Sequence, residues 1–428
     1  MSFKEYRYRL PIKDKFVGLK DDPRIMPNAS IDDHVLIVGA GPVGLCLAML
    51  LGDAGLSVRV LEKEPSIEED LRASTFHPPT LDMLAPSGIA ETLVSQGLPC
   101  PTWQIRLHPS GDRAVFDLSV LEGLTAHPFR LQCEQWKLAR ALHARVSRMP
   151  NVTVMFNADV TEIEQDDSGV SVTVRGEDAA SRVYRASYLA GCDGARSVVR
   201  KSAGLDFEGV TYPETTLLAT TMFPFEDHLE GLSNVTYCWK DGGNFSLLKV
   251  PGRWRVSIYP DEHLSIDEQM TPEALNASLQ DIVPRPEPYV VAERRPYRVH
   301  MRIVPHYRAG RIMLAGDAAH VNSPSGGMGL NGGIHDAFEL AAAFIAVLQE
   351  NAPESRLDLY DSRRRPIARD EILTQADKNR ARMRERDPER RRELLRELQA
   401  ITNDRERMRA YLTRSSMLDG LRKAASIV

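Results

Sequence analysis

The sequence predicts a mixed fold, α/β plus α+β, in which a parallel-sheet domain is interleaved with a mostly antiparallel sheet and followed by a helical tail. Three patterns predict this arrangement. An apolar strand, a glycine turn, a helix and a second strand follow one another at 35–62. Long alternating strands with aromatic residues fill 206–296. Charged residues at helical spacing dominate the chain beyond 351.

The first pattern has the residues of a Rossmann-like βαβ unit. The apolar run 35–38 enters a turn that carries Gly39, Gly41 and Gly44. These glycines permit a tight turn, close approach of a pyrophosphate, and close packing of helix on sheet. The helix directs its N–H groups and positive dipole end at the phosphates. Glu62 ends the next strand, where a carboxylate can bind a ribose. We therefore predict a bound dinucleotide; the alternative is an empty glycine turn.

Composition limits the possible partners. The chain has 428 residues, 43% of them apolar, and a formal net charge of −5. This charge gives no general attraction for nucleic acid or anionic membranes. The N-terminus lacks a signal-peptide core, and the apolar run 35–51 contains glycines typical of a βα unit rather than a membrane span. Five cysteines without CxxC spacing favour reduced thiols in a cytoplasmic protein. We also expect a monomer or homodimer and no metal site.

The order of predicted strands and helices divides the chain into interleaved parts. The predicted parts are an N-terminal arm at 1–30, a dinucleotide-binding domain at 31–102, 128–205 and 297–350, a substrate domain at 103–127 and 206–296, and a helical tail at 351–428. In the tail, Leu394, Leu395, Leu398 and Ile401 form an apolar stripe typical of solvated helices that pack on a core. A nucleic-acid arm or a partner helix is the alternative.

Three separated motifs together resemble one enzyme family. They are the glycine turn at 39–44, the segment 192–197 with Asp193, and the segment 315–320 with Asp317. In this order they resemble the single-component FAD-dependent aromatic hydroxylases, class A flavoprotein monooxygenases of the para-hydroxybenzoate hydroxylase type. The resemblance covers roughly residues 32–350 and implies FAD as the cofactor.

The resemblance also implies which residues hold FAD. Asp317 matches the aspartate that binds the ribityl hydroxyls, with a helix N-cap as the alternative. Arg72 matches the arginine on the phosphates and Gln132 the glutamine beside the flavin; an ordinary ion pair and a surface polar residue are the respective alternatives. The whole set expected to bind the cofactor is Gly39, Gly41, Pro42, Val43, Gly44, Glu62, Lys63, Arg72, Gln132, Val160, Asp193, Gly316, Asp317, Pro324, Gly329, Leu330 and Asn331.

The segment 323–331 resembles the family loop that lies against the isoalloxazine ring. It contains a second formal GxGxxG beginning at Gly327, but no strand enters it directly, so it does not predict a second dinucleotide site. The resemblance implies that the following helix presents the N–H groups of Leu330 and Asn331 to the flavin, where positive potential stabilises the reduced anion.

The implied activity is hydroxylation of a phenolic or N-heteroaromatic small molecule. NADH or NADPH would bind transiently and reduce FAD, and O2 would then form a C4a-hydroperoxyflavin that transfers its distal OH. A flavin halogenase is one alternative, but residues 254–260 contain only one tryptophan of the expected paired motif. A non-hydroxylating FAD protein, a redox sensor or a structural protein, is the other.

The candidate catalytic groups are Tyr212, His77 and Pro324. Tyr212 lies in a Tyr-Pro pair at the position where the family contacts the substrate phenol, and packing in a strand is the alternative. His77 lies on the loop after Arg72, and a capping or surface histidine is the alternative. Pro324 marks the place where oxygen chemistry is expected. No basic cluster in 206–296 resembles a carboxylate clamp.

Overall fold

A computed structural model describes residues 33–70, 73–259 and 264–428 of the chain. The predicted N-terminal arm at 1–30 and the candidate phosphate ligand Arg72 lie outside the described residues.

The described chain contains strands and helices in alternation. The strands are β1 (Asp33–Val38), β2 (Val58–Leu61), β3 (Thr75–Phe76), β4 (Leu98–Cys100), β5 (Thr102–Leu107), β6 (Arg113–Asp117), β7 (Arg130–Gln132), β8 (Val152–Met155), β9 (Asp159–Asp166), β10 (Gly169–Arg175), β11 (Ser181–Gly191), β12 (Glu208–Thr221), β13 (Val235–Lys240), β14 (Gly243–Val250), β15 (Arg253–Ile258), β16 (Glu293–Ile303), β17 (Arg308–Ala309), β18 (Ile312–Leu314) and β19 (His320–Val321). The α-helices are α1 (Pro42–Asp53), α2 (Pro78–Leu84), α3 (Ile89–Gln96), α4 (Gln135–Val146), α5 (Val198–Ser202), α6 (Ile266–Gln269), α7 (Pro272–Gln280), α8 (Gly329–Leu348), α9 (Ser355–Ile367), α10 (Thr374–Met383), α11 (Pro388–Thr402), α12 (Arg405–Ser415) and α13 (Leu418–Ser426).

The first sheet has the order β17-β18-β11-β1-β2-β8, and β10 and β9 extend it from β11. Strands β18, β11, β1, β2 and β8 are parallel. Val35 of β1 pairs with Val58 on one side and Tyr188 on the other. Helices α1 and α8 pack against each other and on this sheet, β1 is apolar on both faces, and α1 is buried along residues 44–52. The carboxyl ends of these strands form the edge at which ligands of parallel sheets bind.

The second sheet has the order β19-β16-β12-β15-β14-β13-β5-β6, and its pairs are antiparallel except for β13 with β5. Strand β16 continues to Ile303, which pairs with Glu208 of β12. The boundary predicted at 296 therefore falls inside a strand of the second sheet, because the alternating pattern continues past it. The division into domains otherwise stays a prediction.

A small third sheet, β3-β7-β4, brings Thr75 beside Gln132 and Cys100 beside Arg130. Each of its strands has only two or three residues. Short strands of this kind carry little sequence pattern, but here they fix the side chains that surround the candidate site.

The C-terminal region is helical, as predicted, and its charged helices cover the edge of the second sheet. The apolar stripe of α11, including Leu395 and Leu398, packs into the core cluster that contains Trp103 and Phe116. The mixed α/β fold and the helical C-terminal region are thus confirmed. In the described part of the chain, the model contains no helix with the length and apolar character needed to cross a membrane.

Candidate active site

The glycine turn between β1 and α1 leaves an open approach to its backbone. Gly39 has φ +105°, and a Cβ there would lie 2.5 Å from the Cys192 carbonyl oxygen. A Cβ on Gly44 would lie 2.0 Å from the Gly39 carbonyl oxygen. Gly41 has an ordinary φ of −72°, and a Cβ there would meet no atom of the described residues within 4 Å. Two glycines are therefore required by the fold, whereas Gly41 leaves free space in front of the helix that Pro42 begins.

Glu62 stands at the carboxyl end of β2, beside this turn. Its Oε2 accepts a hydrogen bond from the Ala40 N–H at 2.7 Å, and its Oε1 accepts one from the Glu64 N–H at 3.0 Å. The carboxylate is thereby fixed where a ribose is expected. The next residue, Lys63, is largely exposed and lies 3.5 Å from the Glu64 carboxylate. Val160 is buried in the core of the first sheet.

Asp317 is exposed between two buried neighbours, Gly316 and Ala318, just after β18. The short 3₁₀ turn that contains it is capped by Ala315, so Asp317 is not the N-cap that the alternative interpretation supposes. Gly316 has φ +61°, and a Cβ there would lie 3.0 Å from Val43 of α1. Close packing of Gly316 on α1 therefore presents Asp317 at the same sheet edge as Glu62.

The carboxylate of Asp193 is engaged within the protein. Oδ1 accepts a hydrogen bond from the Ser197 hydroxyl at 2.5 Å, and Oδ2 accepts bonds from the N–H groups of Val198 and Val199 at 2.6 and 3.2 Å. Burial raises the pKa of Asp193, while these hydrogen bonds oppose the rise. Asp193 thus stabilises the start of α5, and its contact with a pyrophosphate stays a prediction.

Gln132 is fully buried, so the surface interpretation is wrong for this residue. Its Oε1 accepts a hydrogen bond from the Ser74 hydroxyl at 3.1 Å, and its Nε2 donates one to the Thr75 hydroxyl at 2.9 Å. The third sheet produces this burial by pairing β7 with β3.

Asn331 joins the glycine loop to β3 and α2. Its Oδ1 accepts a hydrogen bond from the His77 N–H at 2.8 Å, and its Nδ2 donates to the carbonyl oxygens of Thr75 and Gly327 at 2.9 and 2.7 Å. All its amide groups are therefore used to set the backbone around the start of α8. Leu330 is partly buried and packs on the core of the first sheet.

His77 is completely buried and is held by the same loop. Its Nε2 lies 2.8 Å from the Gly326 carbonyl oxygen, so Nε2 carries the proton. Burial, together with the charge of Arg130, lowers the pKa of His77 to about 3, with the Gly326 bond opposing. The ring is therefore neutral near pH 7. The expectation of a surface histidine is wrong, and His77 sits at the N-cap position of α2 without a side-chain cap bond.

The loop before α8 contains the conformations that only glycine tolerates well. Gly326 and Gly327 have φ +99° and +68°, and a Cβ on Gly327 would lie 2.8 Å from Thr75. Pro324 is exposed, and its carbonyl oxygen accepts a hydrogen bond from the Gly327 N–H at 3.0 Å. Helix α8 starts at Gly329, so the N–H groups of its first turn have no acceptor within the helix.

A buried ion cluster lies behind this edge. Asp336 is fully buried; its Oδ1 accepts a bond from Arg364 Nε at 2.7 Å, and its Oδ2 lies 2.8 Å from His320 Nε2 and accepts the Gly316 N–H at 3.1 Å. Burial raises the pKa of Asp336, but Arg364 and His320 outweigh it and hold the pKa below its ordinary value. Sequence reasoning missed this cluster because its members are separated along the chain.

Tyr212 faces the C-terminal helices. Its hydroxyl donates a hydrogen bond to the Asp377 carboxylate at 2.8 Å, and the guanidinium of Arg380 lies 3.6 Å from the centre of its ring. Burial and the Asp377 bond raise the pKa of Tyr212. These contacts are those of a side chain that attaches α10 to β12, and contact with a substrate stays a prediction.

A cavity lies between the glycine loop, the second sheet and α10. It contains about 450 Å³ free of protein atoms, part of it open to solvent, and Ser325 and Gly326 form its loop side. Trp103, Tyr237 and Tyr411 supply its aromatic wall. Its lining combines aromatic side chains with a few polar groups, as small-molecule sites do. Of the aromatic residues in the second sheet, Tyr237 lines the cavity and Tyr259 bonds to Ser325, whereas Trp239, Phe245 and Trp254 are buried in core clusters.

Arg130 is the residue of this cavity that sequence reasoning missed. It lies two positions before Gln132 on β7, and residues two apart in a strand share a face. This alternation is the signal that could have identified it. The signal is weak, because a strand of three residues cannot be recognised from its own sequence.

The residues at the sheet edge fit an FAD molecule. The open space in front of Gly41 admits a pyrophosphate, and Glu62 and Asp317 supply acceptors for hydroxyl groups. The loop at Gly326 and Gly327 lies on the side of the cavity where the flavin ring is expected. The fold and this site define a flavoprotein of the oxygenase type. Among the described residues, no group of three or more His, Cys, Asp or Glu side chains could hold a metal ion.

Comparison with known proteins agrees with this class. Residues 32–375 match the model of the FAD binding domain family. The chain is 36% identical over 393 residues to para-nitrophenol 4-monooxygenase of Pseudomonas sp. strain WBC-3, covering 91% of this chain and 97% of that protein. It is 33% identical to 6-hydroxy-3-succinoylpyridine 3-monooxygenase of Pseudomonas putida S16, covering 78% and 85%. The crystal structure of p-nitrophenol 4-monooxygenase from Pseudomonas putida DLL-E4 superposes with a TM-score of 0.84 at 34% identity, covering 92% and 98%.

The chain belongs to the FAD-binding aromatic hydroxylase family, and it is an FAD-dependent monooxygenase. The predicted family, cofactor and enzyme class are thus confirmed. The individual residues expected to bind FAD stay predictions, supported by the geometry described above.

Proposed function

We propose that the chain hydroxylates a phenol with a single ring, using NADH or NADPH and O2 as co-substrates. The cavity between the glycine loop and the aromatic wall is the observation that carries this proposal. Its aromatic wall, formed by Trp103, Tyr237 and Tyr411, suits a flat aromatic ring. Two relatives that the chain matches over most of their own length act on single rings by name, a nitrophenol and a hydroxypyridine.

FAD, when bound, would supply the hydride acceptor and the activation of O2. The residues of the chain would bind and orient both partners. The Gly39–Gly44 turn and Glu62 would hold the adenosine end, and Asp317 would hold the ribityl chain. The backbone at Gly326 and the first turn of α8 would place N–H groups and their positive potential beside the ring.

The cavity wall would exclude water from the reacting ring. Trp103 stacks on Phe116 with ring centres 4.1 Å apart, and Phe116 stacks on Tyr411 at 4.8 Å. This layer joins the second sheet to α12, so the C-terminal helices close the cavity on the side away from the loop. Stacked aromatic side chains on this side would limit the access of water to a reactive oxygen intermediate. A cytoplasmic location and a monomer or homodimer complete the proposal.

Purified protein loaded with FAD tests this function. We expect 4-nitrophenol to accelerate NADH or NADPH oxidation, and the product to contain one oxygen atom from ¹⁸O2. Gly41→Ala, which should lose FAD, is the matched control. Stimulated oxidation without labelled product would contradict hydroxylation, and a chloride-dependent halogenated product would favour the halogenase alternative.

A further inference from the structure

The cavity holds a buried cation that no described acid neutralises. Arg130 is only 3% exposed, and it lies on the cavity wall. Its Nε and Nη1 atoms are buried and have no hydrogen-bond partner among the described residues. The contacts that it does make are with Tyr237, through a hydrogen bond, and with Trp103, whose ring centre lies 4.7 Å from the guanidinium carbon. Neither neighbour carries a negative charge that would offset the cost of burying the guanidinium.

The rest of the cavity wall is also rich in unused donors. Trp103 Nε1 is buried without an acceptor, and the Ser415 hydroxyl is buried without a partner. Arg382 adds a second guanidinium, which donates to the Tyr411 hydroxyl at 3.2 Å. The described residues that line the cavity include no aspartate or glutamate. A wall of this kind is complementary to a ligand that accepts hydrogen bonds and carries negative charge.

Arg130 is also placed beside the expected flavin ring. It shares a face of β7 with Gln132, about 7 Å away along the strand, and its charge acts on His77, which contacts the glycine loop at Gly326. A substrate whose anionic group binds Arg130 would thus have its aromatic ring directed toward the glycine loop.

Resting on the proposed function, we infer that Arg130 forms a subsite for an anionic oxygen group on the aromatic substrate, a phenolate or a carboxylate. Trp103 holds the guanidinium group by a cation–π contact, and Tyr237 forms a hydrogen bond with it. The subsite selects rings with a charged oxygen over rings of the same shape without one, because only the charged ring neutralises the buried cation.

Binding to the FAD-loaded enzyme tests the subsite without turnover. Two pairs of probes have nearly the same shape and differ mainly in charge: benzoate against benzamide for a carboxylate, and 4-nitrophenol against 4-nitroaniline, above the pH at which 4-nitrophenol ionises, for a phenolate. Calorimetry gives the ratio of dissociation constants within each pair. We expect the wild-type enzyme to prefer the charged member of at least one pair by roughly 30-fold or more.

Arg130→Met should reduce this ratio to within about threefold, while Arg130→Lys should keep part of it, because the charge remains and the planar donor set is lost. The matched control is Arg106→Met. Arg106 is a buried arginine on β5 that does not line the cavity and donates to the Glu230 carbonyl oxygen at 2.7 Å. It should lower the melting temperature more than Arg130→Met does and leave the ratio unchanged.

The subsite is overturned if the wild-type ratios are near one for both pairs, or if Arg130→Met keeps the wild-type ratio. The outcome for the proposed function is separate. A ratio that depends on Arg130 without ring-stimulated NAD(P)H oxidation would support the subsite and contradict the hydroxylase. Hydroxylation of the ring, together with a ratio of dissociation constants that Arg130→Met leaves unchanged, would support the hydroxylase and contradict the subsite.

Discussion

The Asn331 side chain accepts a hydrogen bond from the backbone N–H of His77 at 2.8 Å, although 254 residues separate the two along the chain. The same amide donates to carbonyl oxygens of Thr75 and Gly327. One buried side chain thus sets the distance between the glycine loop, the third sheet and the first turn of α8, which together surround the expected position of the flavin ring.

Asn331→Leu should weaken both the fold and the cofactor site. The substitution keeps the volume but leaves three buried backbone groups unpaired, at a cost of about 1–3 kcal/mol for each. We expect a lower free energy of unfolding and a weaker affinity for FAD, measured by urea denaturation and flavin fluorescence. Asn151→Leu is the control, since Asn151 bonds Gly52 and Leu56 beyond the site. Its folded fraction should bind FAD normally, and equal losses of affinity in both variants would contradict this role.

Gly41→Ala should separate cofactor binding from folding. The residue has an ordinary φ, and an added Cβ meets no atom within 4 Å in the described part of the chain, so the fold should tolerate it. The methyl group would occupy the space left for the pyrophosphate, and FAD affinity should fall by roughly tenfold or more. Gly39→Ala should instead prevent folding, because its Cβ would collide with the Cys192 carbonyl oxygen. Unchanged FAD affinity in Gly41→Ala would exclude the turn as the phosphate site.

His77 should make stability depend on pH. Its pKa is about 3 in the folded protein and near 6.5 when unfolded, so the unfolded state binds more protons between these values and stability falls as pH decreases through this window. From about pH 7.5 to about pH 5, one such group removes roughly 2 kcal/mol. In His77→Gln this share of the loss should vanish.

The measurement is urea denaturation at both pH values, with FAD held at one concentration. His335 is a second buried histidine with a pKa far below its ordinary value, so a part of the pH dependence should remain in the variant. The same dependence of the free energy of unfolding on pH in wild type and variant would show that the pKa of His77 is not lowered in the folded protein.

Asp336→Asn should be strongly destabilising. The substitution leaves Arg364 buried without its charge partner and disturbs the bond to Gly316, and removal of one partner of a buried ion pair costs about 3–5 kcal/mol. Thermal melting should show the loss. Glu393→Gln, which breaks an exposed pair with Arg390, serves as the comparison and should change stability by less than about 0.5 kcal/mol. Similar melting temperatures for the two variants would contradict a structural role for the cluster.

Local pattern was sufficient for part of the cofactor site. Gly39, Gly41, Gly44 and Glu62 lie within one βαβ unit, where strand, turn and helix are adjacent in the chain, so spacing alone indicates their arrangement. Asp317 was predicted from the resemblance of its short motif to the family. On the third sheet, Gln132 was predicted only through the family resemblance, and its neighbours Arg130 and Thr75 were missed, since no recognisable strands surround them.

By itself, the sequence determined the class of fold, the dinucleotide turn and the flavoprotein family, because periodicity and short motifs are properties of neighbouring residues. Tertiary structure alone decided that Gln132 and His77 are buried, that Tyr212 bonds to α10, and that Arg130 faces the cavity with no acid among its described neighbours. The physical reason is that burial and charge pairing depend on segments far apart in the chain. The residues next to an arginine in the sequence do not show whether its guanidinium contacts a carboxylate, water or the wall of a cavity.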